Sequence, residues 1–182
     1  MDTELPRFFR SQSLRFTMHF FGDIVQPLHT EKLEHGGNGV EVHFDGVKTN
    51  LHSVWDTKVP NKYRKREEWG GGGKDSEEEA AFLWAQELWK GDKEGLEVEC
   101  TSDATDCALE WAEESNRHVC SIVLRDGIEA VEGQELGGKY YEEATAVIDD
   151  SIRKGGRRLA AWLNKMAAAE GKAQEALIVQ DL

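Results

Sequence analysis

Apolar residues recur at helical spacing near the start of the chain. Leu14, Met18, Phe21, Ile24, Val25 and Leu28 come every three or four residues, the period that stacks side chains on one face of an α-helix. This predicts a helix from about Pro6 to Ile24, ending near Pro27, whose ring cannot continue the hydrogen-bond ladder. The period then shortens. After the loop Gly36-Gly37-Asn38-Gly39, the residues Val40, Val42 and Phe44 alternate with polar ones up to Asp45-Gly46. An Asp-Gly pair is a strong hairpin-turn signal, so two short strands are expected from about Val40 to Thr49. The stretch from Val59 to Asp75 holds Pro60, the basic group Lys62, Arg64, Lys65 and Arg66, and the run Gly70 to Gly73. That composition predicts a flexible loop over residues 58–76.

Helical spacing returns after the loop. Ser76 followed by Glu79 has the form of a capping box, and the helix it opens runs through Phe82, Leu83 and Leu88 to about Lys90. A further helical stretch covers about Thr105 to Leu124. The segment Gly137 to Ala169 carries Tyr140, Ala144, Ile148, Ile152, Leu159 and Trp162 at helical spacing, a long helix with Gly155-Gly156 as its weak point. The helical tryptophans Trp84, Trp89, Trp111 and Trp162 are expected in the core. No internal repeat is present. The fold class is therefore mainly α with one small β-hairpin, and 182 residues favour one domain over 1-182.

Composition narrows the function classes. With 39% apolar residues, 31% charged residues and six Trp, the chain is built to fold. Its net charge of -13 repels a polyanion unless a local cluster of divalent cations reverses the field. No run of about 18 apolar residues is present, so no membrane partner is expected. Met1-Asp2-Thr3-Glu4-Leu5-Pro6 has neither the basic nor the apolar region of an export signal. The cysteines Cys100, Cys107 and Cys120 are odd in number, so at least one has no partner within an oxidised chain.

The candidate chemistry lies between residues 19 and 56. His19 and Asp23 are four apart on the first predicted helix, beside Phe16 and Phe20. A carboxylate on an apolar stripe needs a partner, either the imidazole or a metal. The plainer reading of this pair alone is a hydrogen-bonded core pair. His29 follows Gln26-Pro27-Leu28, and His52 and Asp56 repeat the four-residue spacing beside Trp55. These three imidazoles and two carboxylates are a donor set suited to zinc.

The run Leu14 to His29 (Leu-Arg-Phe-Thr-Met-His-Phe-Phe-Gly-Asp-Ile-Val-Gln-Pro-Leu-His), then Gly36-Gly37-Asn38, then Asn50-Leu51-His52-Ser53-Val54-Trp55-Asp56, resembles the zinc-ligand core of the single-strand-preferring S-one/P-one nuclease family, kin to zinc phospholipase C. The resemblance continues through Ala108 to Ser121 and Gly138 to Tyr141. It implies a helical phospholipase C/nuclease-like fold and a secreted zinc endonuclease. Such an enzyme cuts single-stranded DNA and RNA at three zinc ions and leaves five-prime phosphates. It further implies that His29, His52 and Asp56 complete one zinc site, that His19 ligates a second ion, and that the catalytic Asp23 bridges the second and third. Gly36 and Asn38 would line a nucleobase pocket. The family's upstream ligands, an amino-terminal Trp with a nearby His and a further Asp and His, find no counterpart before His19. The expectation is thus one complete zinc site and impaired turnover, with a zinc-binding pseudoenzyme as the alternative. No protein partner is implied.

The remaining candidates are weaker. His118, Cys107 and Cys120 fit no common zinc spacing. His35 and His43 read as solvated surface, and the basic run Lys62 to Arg66 as a solvated loop more readily than a phosphate guide.

Overall fold

The computed structural model describes residues 5–64, 77–91, 100 and 103–180. Helix α1 (Arg7–Asp23) forms where the apolar period placed it. It passes into a 3-10 turn, Pro27–Thr30, and then into a left-handed turn in which Glu34, His35, Gly36 and Gly37 all have positive φ, from 48 to 80°. Strands β1 (Glu41–Phe44) and β2 (Val47–Asn50) pair antiparallel, with Val42 opposite Thr49 and Phe44 opposite Val47. Val42 and Phe44 point into the core, as strand alternation requires. The outer edge of β1 is not bare. His43 bridges to Glu135, its N–H donating to the Gln134 carbonyl and its own carbonyl accepting from Leu136, both at 2.8 Å.

Helix α2 follows the hairpin directly. It runs from Leu51–Ser53 through a π-helical turn, Val54–Lys58, into Val59–Arg64. The expected loop over 58–76 thus begins as helix, and residues 65–76 lie outside those described. Tertiary packing overrides the loop composition here, because Val59 and Tyr63 are buried four residues apart on one face. Helix α3 (Glu77–Gly91) and helix α4 (Ala104–His118) come next, α4 passing into a second π-turn, Val119–Val123. Asp103 caps α4, its carboxylate accepting from the N–H groups of Thr105 and Asp106, a standard use of a short acidic side chain at a helix start. Helix α5 (Lys139–Gln180) closes the chain. The architecture is mainly α, and a single two-stranded sheet is present among the described residues.

Helix α5 runs through Gly155-Gly156 without a break and extends beyond Ala169. The glycines cost the helix about 1 kcal/mol each in propensity, but Gly155 is where α1 crosses. A Cβ there would lie 3.2 Å from the Phe21 carbonyl oxygen and 3.3 Å from Val25, so the missing side chain sets the helix separation. Trp84 and Trp111 are buried, and Trp162 packs against the cluster of Cys100, Cys107 and Trp111. Trp89 is a correction: it is 63% exposed. Helix α3 turns Trp84 and Leu88 inward, and a residue five beyond Trp84 falls well round the helix from that face.

Polar hubs join the helices. Trp55 donates to the Tyr140 hydroxyl at 2.9 Å, which donates onward to the Val123 carbonyl at 3.1 Å, and burial pushes the Tyr140 pKa up. The Asp149 carboxylate accepts from the Tyr63 hydroxyl and the Trp84 indole. Lys62, read from sequence as solvated, holds the Asp45 carboxylate and the Gly137 carbonyl at 2.7 Å each and lies over the Phe44 and Tyr141 rings. Glu114 on α4 takes Lys154 at 2.5 Å and Arg158 from α5. Burial pushes the Glu114 carboxyl up, but these two cations outweigh it and hold it below its ordinary value. Arg158 is 6% exposed, so Glu114→Ala takes a carboxylate away from a buried cation. We expect a loss of about 3 kcal/mol, read as a lower midpoint in urea, with Glu114→Gln retaining part of the difference.

Candidate metal centre

The five candidate donors meet where α1, the 3-10 turn and α2 converge. His19 and Asp23, one helical turn apart on α1, bring Nε2 and Oδ2 to 3.0 Å. Three residues after α1 ends, Gln26 caps the 3-10 turn, its side-chain oxygen accepting from the Leu28 N–H at 2.6 Å. Pro27 at the first position of that turn suits its fixed φ. The turn projects His29 back, so that Nδ1 lies 3.7 Å from Asp23 and Nε2 lies 3.2 Å from Asp56 Oδ1. His52 Nε2 meets the other Asp56 oxygen at 3.1 Å. The His29 and His52 rings stack at 5.2 Å. One ligand atom each from His29, His52 and Asp56 fall within 4.8 Å of one another.

Local sequence explains how each side chain is held. Asn50 caps α2, accepting from the Ser53 N–H at 2.8 Å, which places His52 in the first turn. The π-turn then carries Asp56, in keeping with the concentration of such turns at functional sites. His52 Nδ1 lies 2.8 Å from the Gly36 carbonyl oxygen. A carbonyl only accepts, so Nδ1 carries a proton, and Nε2 is the ring nitrogen that faces the Asp56 carboxylate. Gly36 has φ +68°, and a Cβ there would fall 2.7 Å from the Leu28 carbonyl oxygen. Only glycine fits the turn that orients His52. Asn116 of α4 braces the other side, donating to the Thr30 carbonyl at 2.9 Å.

The electrostatics follow from these contacts. The hydrogen bond to Asp56 raises the His29 pKa above its usual 6.5, against the opposing effect of burial. Burial would raise the Asp56 carboxyl, but hydrogen bonds from His29 and from Gln26, whose amide donates at 2.7 Å, carry it below 3.8.

Two hollows flank the cluster. A wide depression of about 860 Å³ is lined by Phe20, Asp23, His29, His35, Gly36 and His52, with Ala108 and Ala112 of α4 on its wall. A narrower cavity of about 290 Å³ lies between Asp23, Gln26, His29 and Asp56 on one side and Trp55, Ile148 and Ile152 on the other. Gly36 thus borders the wide depression. Asn38 is exposed and donates to the His35 carbonyl at 2.8 Å. Sequence reasoning missed Gln26, whose part depends on a segment 30 residues away, and His35, whose left-handed backbone brings it to the rim. The capping position before Pro27 was the available signal for Gln26. The sulfurs of Cys100 and Cys107 are joined in a disulfide, and Cys120 is free. That disposes of a His118, Cys107 and Cys120 metal site.

On this helical scaffold two histidines and one carboxylate converge on one point, a group that could hold a metal ion. The family model described as S1/P1 Nuclease matches residues 1–168, and the chain belongs to that family. It is similar to Nuclease S1 of Aspergillus oryzae, 37% identical over 164 residues, covering 86% of this chain and 54% of that protein. It is similar to Nuclease P1 of Penicillium citrinum, 35% identical over 178 residues, covering 93% and 63% respectively. Endonuclease 4 of Arabidopsis thaliana is 32% identical over 163 residues, covering 89% and 52%. The chain therefore spans between about half and somewhat under two thirds of the length of these relatives.

Gly36→Ala is expected to cost about 2 kcal/mol, from left-handed strain and the close carbonyl, and thermal denaturation will show it. The second prediction concerns pH. The raised His29 pKa contributes stability that is full below 6.5 and lost as pH rises through the folded value. The lowered Asp56 pKa contributes stability present above 3.8 and lost as pH falls through the folded value. The pair is thus strongest between the two. Asp56→Asn removes the anion while burial remains, so the His29 pKa should move down in a proton NMR titration of metal-free protein.

Proposed function

We propose that His29, His52 and Asp56 hold a zinc ion and that the chain carries the metal centre of a phosphodiester-cleaving nuclease. The observation that supports this best is the convergence of two imidazoles and a carboxylate, with the Gly36 carbonyl fixing which His52 nitrogen faces the site. Two nitrogens and one oxygen are a donor set zinc accepts, and three protein ligands leave a position for water or substrate. When bound, such an ion would polarise a phosphate oxygen and lower the pKa of coordinated water.

The residues around it have complementary tasks. Gln26 orients the Asp56 carboxylate. Asp23, approached by His19 and His29, is the carboxylate placed to accept a proton from an attacking water, and is the catalytic residue of this reading. His19 and Asp23 would take part in holding further zinc ions. The depression lined by Phe20, His35 and Gly36 offers room for an unstacked base, which is how single-stranded DNA or RNA would be preferred over a duplex. Asn38 would shape that wall by fixing His35. Products would carry a five-prime phosphate, as the family resemblance implies. The disulfide suits an oxidising compartment and supports secretion. No helix among the described residues is long and apolar enough to cross a membrane.

One observation favours a second reading, zinc binding with weak turnover. Among the described residues a single group of three metal-type donors is present, and His19 is 66% exposed. Two-metal hydrolysis stabilises both the attacking and the leaving oxygen, which one ion cannot do alone.

Purified chain titrated with zinc should take up one tightly held ion, and His52→Ala should weaken binding by 100-fold or more. Cleavage of single-stranded DNA should be zinc-dependent and far slower than by Nuclease S1. Tight binding that survives His52→Ala and Asp56→Ala together would overturn the site. Three tightly held ions with full turnover would overturn the one-ion reading.

A further inference from the structure

Helices α3 and α5 leave a hollow of about 500 Å³ between them, within the range of small-molecule sites. It runs from Ala81 to Trp89 on α3 and from Ile152 to Ala160 on α5, about 12 Å along each helix at the usual rise per residue. Gly156 keeps its floor open. Gly155 is needed where α1 crosses, but a Cβ at Gly156 would meet no described atom within 4 Å. Glycine in a helix interior is destabilising, and at this position no packing contact requires it; its effect is a bare floor. Trp89 lines one end of the hollow and is 63% exposed.

The walls carry charge of one sign. The basic run Arg153 to Arg158 is divided by the helical period: Lys154 and Arg158 turn to Glu114 on α4, whereas Arg153 and Arg157 border the hollow. Arg153 Nε is buried with no hydrogen-bond partner. Its ion pair with Asp150 is long, at 3.7 Å, and that carboxylate holds Lys154 more closely, at 2.8 Å. Every polar side-chain atom among the lining residues is a donor, from these two guanidiniums and the indoles of Trp84 and Trp89. From this chemistry we infer that the hollow between α3 and α5 binds an amphipathic organic anion, its elongated hydrocarbon body along the groove and its carboxylate or phosphate head on Arg153 and Arg157. A guanidinium takes either head through paired hydrogen bonds. A nucleoside or a peptide fits less well, because its own N–H and O–H donors would find no side-chain acceptor there. The hollow shares Ile152 with the narrower cavity beside the metal centre but includes none of the five candidate donors, so the inference rests on neither zinc nor nuclease activity.

The test is isothermal titration calorimetry of the full chain with decanoate, kept below its micelle-forming concentration, and with decyl phosphate in parallel. A single saturable site for either anion is expected, the tighter of the two naming the head group, with decanol weaker by about 10-fold or more and decyltrimethylammonium not bound. Arg153→Met with Arg157→Met keeps the apolar stems and should bring anion binding down to the level of decanol. Gly156→Leu fills the floor and should abolish binding while the thermal midpoint does not fall. Trp89→Ala, at an exposed position, should weaken binding in a chain whose circular dichroism is unchanged, so that the result does not hang on how Gly156→Leu folds. Undiminished binding in Gly156→Leu, decanol bound as tightly as the anions, or no saturable binding of either anion would each overturn the inference. Adenosine monophosphate bound in their place, and lost in Gly156→Leu, would overturn it in favour of a nucleotide site.

Discussion

The Asp56 carboxylate is the point on which the site depends. It is partly exposed, and its two oxygens serve three partners from two segments: His29 and Gln26 from the turn after α1, and His52 from the start of α2. A carboxylate taken partly out of water is costly unless its lone pairs are used. Here they are used by groups that reach it only if α1 ends where it does, the 3-10 turn reverses, and α2 widens into a π-turn. The same contacts lower the carboxyl pKa and raise that of His29. In the metal-free protein the imidazole proton stands where a cation would stand in the proposed zinc site, so the apo arrangement is already organised for positive charge.

The rest of the fold holds these elements in register. Trp55, next to Asp56, is fixed through Tyr140 to the end of the second π-turn. The last turn of α2 is fixed through Tyr63 and Asp149 to the first third of α5. Glu135 accepts from the N–H groups of Asp45, Gly46 and Gly137, closing the hairpin against the start of α5. These are polar links between apolar elements, and they give direction to packing that the hydrophobic effect alone leaves unspecific.

Charge gives the proposed function its physical constraint. A chain at -13 has no general attraction for phosphate, and Lys62, the one described lysine of its basic run, is spent on Asp45 and Gly137. Any affinity of the site for a phosphodiester would therefore come from cations held by the carboxylates themselves. That makes metal loading, rather than a basic surface, the variable on which substrate binding should turn.

The sequence alone determined the elements whose signal is local. The apolar period of α1, the Asp-Gly hairpin and the helical spacing beyond Lys139 each depend on residues a few positions apart, and the structure holds all three. His19 with Asp23 and His52 with Asp56 were legible as pairs for the same reason, since a spacing of four stacks side chains on a helix. Only tertiary structure decided how the pairs meet. The part of Gln26 rests on Asp56, 30 residues on. The need for glycine at position 36 rests on the Leu28 carbonyl and the His52 ring, and the survival of α5 through Gly155 rests on α1 crossing there. Helix formation at Val59–Arg64 within a loop-like composition, and the exposure of Trp89, were likewise settled by which faces found neighbours. The physical reason is the same throughout: propensity and period act over a turn or two of chain, whereas burial, hydrogen-bond satisfaction and pKa depend on groups that only the fold brings within reach.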